Sequence, residues 1–138
     1  MWRNAGIELL WHPSLSLESG DQVLDILEDC LQGRTRLDAL CIEGSLLRGP
    51  HGTGRFHMLA GTDAPMIDWV RKLAAVAQYT LGIGTCAAYG GITAAGSNPT
   101  DACGLQFDGE HRGGLLGSAR RTCLPGTARW PPGRAPRH

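Results

Sequence analysis

The residues of this chain best suited to chemistry are its five cysteines, Cys30, Cys41, Cys86, Cys103 and Cys123. A thiolate is both a nucleophile and a soft metal ligand. The set is odd in number and contains no C-x-x-C pair, which argues against a disulfide scaffold or a self-contained zinc ribbon. In a reducing compartment these side chains are mostly free thiols. Cys86 stands apart by its setting: it follows the apolar, Gly-punctuated run Leu81-Gly82-Ile83-Gly84-Thr85 and opens a turn of small residues, Ala87-Ala88-Tyr89-Gly90-Gly91. The run reads as a short buried strand, and Gly90-Gly91 lets the backbone bend back closely over whatever Cys86 holds. One thiol therefore sits at the carboxyl end of a strand, where open α/β sheets bind their ligands. Without further context, a single Cys in an apolar setting reads first as a small buried hydrophobe.

Other candidate groups are weaker. Glu43, in Glu43-Gly44-Ser45, follows a buried strand and can cap the turn after it. His12, His51 and His57 match no helix-borne metal-ligand spacing and read as solvated or hydrogen-bonded loop side chains. Cys30 falls in a helix and Cys41 in a strand, so both read as core packing, and Cys103 reads as a free thiol. The Gly49–Gly54 stretch, Gly-Pro-His-Gly-Thr-Gly, matches neither a dinucleotide fingerprint nor a P-loop, which disfavours nucleotide binding.

The elements that would position these groups follow from hydrophobic period and breakers. Gly6–Trp11 has strand character, stopped at His12-Pro13-Ser14. Ser19 or Asp21 can cap a helix running to about Gln32, with Val23, Leu24, Ile26, Leu27 and Leu31 as its apolar stripe and Gly33 as its end. Leu37–Ile42 reads as a parallel strand covered on both faces. Leu46–Asp63 reads as an irregular surface loop suited to function or docking. Asp63 can cap a helix with Pro65 in its first turn, Met66, Ile67, Trp69, Val70, Leu73 and Val76 inside, and Arg71 and Lys72 outside. Strand, helix, strand, helix, strand predicts right-handed crossovers and a flavodoxin-like parallel α/β sheet. Glu43 and Cys86 then share one end of that sheet. After Ala95 the texture loosens, with turn chemistry at Asn98-Pro99-Thr100 and no regular period to about Gly114.

Composition sets outer limits. A length of 138 residues with 42% hydrophobic content suits one domain with one core. Thirteen basic and thirteen acidic side chains cancel, so no global pull toward nucleic acid or anionic membrane is implied. No apolar run reaches the roughly 20 residues of a membrane span, and the amino end lacks a secretory signal's apolar segment, which reads as cytoplasmic. The chain divides into a partial α/β domain over 1–117 and a segment over 118–138. This latter segment carries Arg120, Arg121, Arg129, Arg134 and Arg137 with four prolines and no acidic residue, and its composition predicts disorder.

Gly84-Thr85-Cys86-Ala87-Ala88-Tyr89-Gly90-Gly91, with Glu43-Gly44-Ser45 and Asn98-Pro99-Thr100, closely resembles the small, electron-transferring subunit of nickel-iron hydrogenases. The resemblance covers about residues 5 to 117. It is strongest there, at Trp11–Ser16 and at Arg48–His57, and is nearest to the regulatory, hydrogen-sensing branch. It implies that Cys86 ligates the 4Fe-4S cluster proximal to a hydrogen-cleaving site on a separate large subunit. It gives Glu43 a place near that cluster, where burial would raise its pKa and suit it to proton relay. It names the large subunit as partner and, for the sensing branch, a signalling histidine kinase. A cubane takes four protein thiolates. The family's first strand and the C-x-x-C just after it should fall before Met1, so the parallel sheet is expected to lack its first strand, and Cys123-Leu124-Pro125 imitates the family's Gly-Cys-Pro motif poorly. The cluster is therefore expected in an intact parent and incomplete or absent here, and the change near Gly117 suggests a frameshift. The alternative is a cluster-free α/β remnant acting as an interaction module.

Overall fold

The computed structural model describes residues 6–108 and 111–117. Cys123 and the 118–138 segment expected to be disordered lie outside the described residues. In chain order the elements are α1 (Asp21–Leu31), β1 (Ala39–Glu43), β2 (Leu46–Leu47), α2 (Met66–Val76), β3 (Tyr79–Ile83), α3 (Gly84–Tyr89), a 3-10 helix (Gly91–Ala94), β4 (Ala102–Cys103), β5 (Phe107–Asp108) and β6 (His111–Arg112).

The architectural unit is the parallel pair β1–β3, in register from Ala39 opposite Tyr79 to Glu43 opposite Ile83, with α2 in the crossover. This is the α/β arrangement that the alternating pattern predicts. Two short antiparallel pairs, β2–β4 and β5–β6, complete the described sheets. Among the described residues no helix is long and apolar enough to cross a membrane.

Both long helices follow their apolar period. The first buries Val23 and Cys30 and ends as predicted: Gly33 takes a positive φ of 71° and its N–H donates to Cys30 O at 3.2 Å. Its amino end departs from expectation, since Gly20 occupies the cap position and neither Ser19 nor Asp21 makes a side-chain cap. The second helix buries Ile67, Trp69, Val70, Leu73 and Ala74 and exposes Arg71 and Lys72. Asp63 does not cap it. Its carboxylate instead pairs with Arg55 at 2.7 Å, and Pro65 holds the cap position. Val76, expected inside, is 45% exposed because it lines an open cleft with Leu31, Gln32 and Gln78 instead of packing against them.

Three further corrections bear on the site. Gly6–Trp11 is not a strand: the backbone of Gly6–Leu10 has no hydrogen-bond partner among the described residues, and a strand exists only through its ladder. The chain does turn at Pro13, where the N–H groups of Leu15 and Ser16 both donate to His12 O. Second, β1 is not covered on both faces. Leu40, Ile42, Thr80 and Gly82 face the interior, whereas Ala39, Cys41 and Glu43 are exposed beside Tyr79 at 45% and Ile83 at 50%. Only one side of the pair is packed, so alternate residues meet solvent.

Third, the stretch after Ala95 is not loose throughout. Ala102, Cys103, Gly104 and Leu105 are buried, and Cys103 and Leu105 join Leu46, Ile67, Val70 and Leu115 in the main apolar cluster. The 46–63 segment is irregular, as expected, but tied down. Arg48 and Gly49 N–H donate to Asp101 O and Thr100 O, and Gly54 and Phe56 N–H fold the loop back onto Arg48 O and Gly49 O.

Candidate functional site

The register of β1 with β3 brings Glu43 beside Ile83, and the chain continues from Ile83 directly into α3. Glu43 and Cys86 therefore share the carboxyl end of the parallel pair, as predicted. The small residues around Cys86 form a short helix where the sequence suggests a turn. Alanines at 87 and 88 favour helix, and Gly90, at φ 92°, ends it with its N–H on Cys86 O at 2.9 Å.

This helix is fixed from behind. Leu105 N–H donates to Ala87 O at 2.7 Å and Gln106 N–H to Ala88 O at 3.3 Å. Gly104 passes so close that a Cβ there would lie 2.2 Å from the Ala88 carbonyl, and Tyr89 stacks on Phe107 with ring centroids 4.5 Å apart. In front, Cys86 is half-buried. Gly91 walls its sulfur: a Cβ at that position would stand 2.5 Å from Sγ and 2.8 Å from Cα of Cys86. The close backbone approach expected of Gly90-Gly91 is thus made by Gly91.

The β1 side is joined to this wall by Ser45. Its hydroxyl donates to Gly90 O at 2.7 Å and lies 3.0 Å from Thr93 Oγ1. Glu43 itself is exposed, so the burial expected to tune it is not supplied by the described residues. Asn98 serves structure: its side-chain amide bonds both the N–H and the C=O of Ala102.

The remaining thiols are dispersed. Cys30 and Cys103 are buried, and burial pushes both thiols up from their ordinary pKa, helped for Cys30 by Asp29 and opposed for Cys103 by Arg48. Both read as core residues from sequence, or as a free thiol in the case of Cys103, and both are free. Cys41 corrects the core-packing expectation, since it lies on the uncovered face of β1. His51 and His57 are exposed, and His12 is half-buried in its turn, with Nδ1 accepting from Ser14 N–H. Among the described residues no three His, Cys, Asp or Glu side chains converge as a metal site. The donor set of a cubane is four thiolates. Cys86 has the donor chemistry for one of those positions, and the described residues do not make up the other three.

Sequence reading missed the brace that ties Arg48 to Asp101 and Asp108. Arg48 donates to both oxygens of Asp108, at 2.6 and 2.9 Å, and to Asp101 at 2.5 Å. The pairing raises the Arg48 pKa and holds the Asp108 carboxyl below its usual range. Its residues are 53 and 60 positions apart, so no local pattern could signal it.

Comparisons with known proteins bear on the family of the chain. A family profile described as NADH ubiquinone oxidoreductase, 20 Kd subunit, matches residues 2–129, a range that runs past Gly117. The Hydrogenase-2 small chain of Escherichia coli (strain K12) is 37% identical over 100 residues, which is 72% of this chain and 26% of that one. The periplasmic NiFe hydrogenase small subunit of Solidesulfovibrio fructosivorans is 35% identical over 101 residues, 72% of this chain and 30% of its own. Among solved structures, the oxidised NiFeSe hydrogenase from Desulfovibrio vulgaris Hildenborough superposes with a TM-score of 0.63 at 27% identity, over 72% of this chain and 35% of that chain. The chain spans about a quarter to a third of the length of the curated relatives it matches. It belongs to the NADH ubiquinone oxidoreductase 20 Kd subunit family, and the two relatives named above are hydrogenase small subunits.

Proposed function

We propose that this chain is part of the electron-transferring iron-sulfur subunit of a nickel-iron hydrogenase of the hydrogen-sensing type, with Cys86 giving one thiolate to a 4Fe-4S cluster. The observation that carries the reading is the position of Cys86: half-buried at the carboxyl end of a parallel strand pair, its Sγ facing a glycine that leaves no side chain in the way. A bound cluster would supply one-electron redox chemistry. The chain's own part is to hold a sulfur in a fixed direction, on a helix braced by Leu105 and Gln106 and closed by Gly90.

Glu43, exposed at the same end, is the proton-relay candidate in this reading, and covering by a large subunit would bury it. The partner is that hydrogen-cleaving large subunit, with a histidine kinase downstream and a cytoplasmic location for the sensing type. Co-purification with a nickel-iron hydrogenase large subunit tests the function. A stable complex supports it, and a chain that never associates under anaerobic co-expression argues against it.

A second reading, a cluster-free interaction module, is favoured by the absence of three converging metal-ligating side chains among the described residues. Iron and labile sulfide that depend on Cys86 would eliminate it.

A further inference from the structure

Ser45 stands in the turn between β1 and β2, 45 residues before the carbonyl its hydroxyl grips. That carbonyl belongs to Gly90, the left-handed residue that closes the Cys86 helix. It also receives Ala94 N–H at 3.2 Å, so one oxygen anchors the 3-10 helix as well. The Gly90 C=O and Gly91 N–H form a single peptide plane, and Gly91 is the wall against Cys86 Sγ. A hydroxyl has one proton to give, so with that proton on Gly90 O the 3.0 Å contact to Thr93 is a bond accepted from the Thr93 hydroxyl. Ser45 thus clasps both ends of the segment that lies over the thiol.

We propose that Ser45 is a positioning residue for Cys86: by holding the Gly90–Thr93 segment it sets the direction and access of the sulfur. That the positioned sulfur then meets a cluster rests on the function proposed above, whereas the clasp does not. The two separate experimentally, because thiol access is read on the protein without metal and cluster content is read by iron and sulfide.

The test is the iodoacetamide alkylation rate of each cysteine, resolved by mass spectrometry on the full 138-residue chain. Ser45→Ala should raise the Cys86 rate about fivefold, the factor by which losing one net hydrogen bond shifts a local opening equilibrium. Ser45→Thr, which keeps the hydroxyl, should stay within about twofold of the parent. Cys30 and Cys103, buried elsewhere, should stay protected in both. The proposal is overturned if the Cys86 rate in Ser45→Ala matches the parent, if Ser45→Thr behaves like Ser45→Ala, or if Cys30 and Cys103 accelerate in step with Cys86 in a folded protein. Should Ser45→Ala lose the fold outright, Thr93→Val removes one partner of the same hydroxyl and is read by the same comparison.

Discussion

Replacing Gly91 with alanine is the sharpest structural test of the wall over Cys86. The new Cβ would lie 2.5 Å from Sγ and 2.8 Å from Cα of Cys86. Ordinary carbon contacts sit near 3.5–4.0 Å, so one side must move by about 1 Å. Gly91 also has a φ of 55°, where a side chain costs about 1–2 kcal/mol, partly offset by about 0.4–1 kcal/mol from a stiffer unfolded chain. Gly96 isolates the backbone term: its φ is 66°, yet a Cβ there meets nothing within 4 Å. Gly96→Ala should therefore cost about 0–1.6 kcal/mol. Gly91→Ala carries the same backbone term plus about 1–3 kcal/mol of overpacking. Urea unfolding of both variants beside the parent measures the difference from midpoints at constant slope. Equal destabilisation of the two would refute the close approach of Gly91 to the thiol.

Arg48→Met should destabilise by about 1–2 kcal/mol, a charge-assisted pair discounted for its half-exposed aspartates. Because Asp108 has a lowered pKa, its contribution is present above the ordinary carboxylate range and lost as pH falls through the depressed value. Unfolding of Arg48→Met across that acid range should accordingly be less pH-dependent than that of the parent. Leu105→Ala, at a side chain 1% exposed, should cost about 2–5 kcal/mol by the same urea measurement. In limited trypsin digestion, cleavage at Arg120 or Arg121 should precede cleavage at Arg48, whose guanidinium is ion-paired and mostly buried. Survival of those tail sites after the Arg48 site is cut would count against the composition-based reading of 118–138.

Local order was legible where one period decides it. Val23 to Leu31 and Met66 to Leu73 announce their helices, and Gly33 its helix end. The placement of Cys86 at the carboxyl end of a strand was legible for the same reason, since an apolar run ending at a cysteine and two glycines is a local signal. What escaped is what distant partners decide. Gly6–Trp11 has a strand's composition but no ladder among the described residues, and composition cannot supply one. The exposure of Cys41 depends on which face of β1 is packed, and its own sequence does not say. Ala102–Leu105 lacks any period, yet it is core because Cys103 pairs with Leu46 and Leu105 bonds Ala87. The Ser45 clasp and the Arg48 brace each join residues at least 45 positions apart.

The proposed function makes Cys86 a cluster ligand. Its most direct test is electron paramagnetic resonance of the reduced protein after anaerobic reconstitution with iron and sulfide, on the chain completed with an amino-terminal C-x-x-C and a downstream Gly-Cys-Pro segment. The proposed function predicts a stoichiometric cubane signal that Cys86→Ser abolishes, and no such signal from the 138-residue chain alone. A cubane signal that survives Cys86→Ser would contradict it.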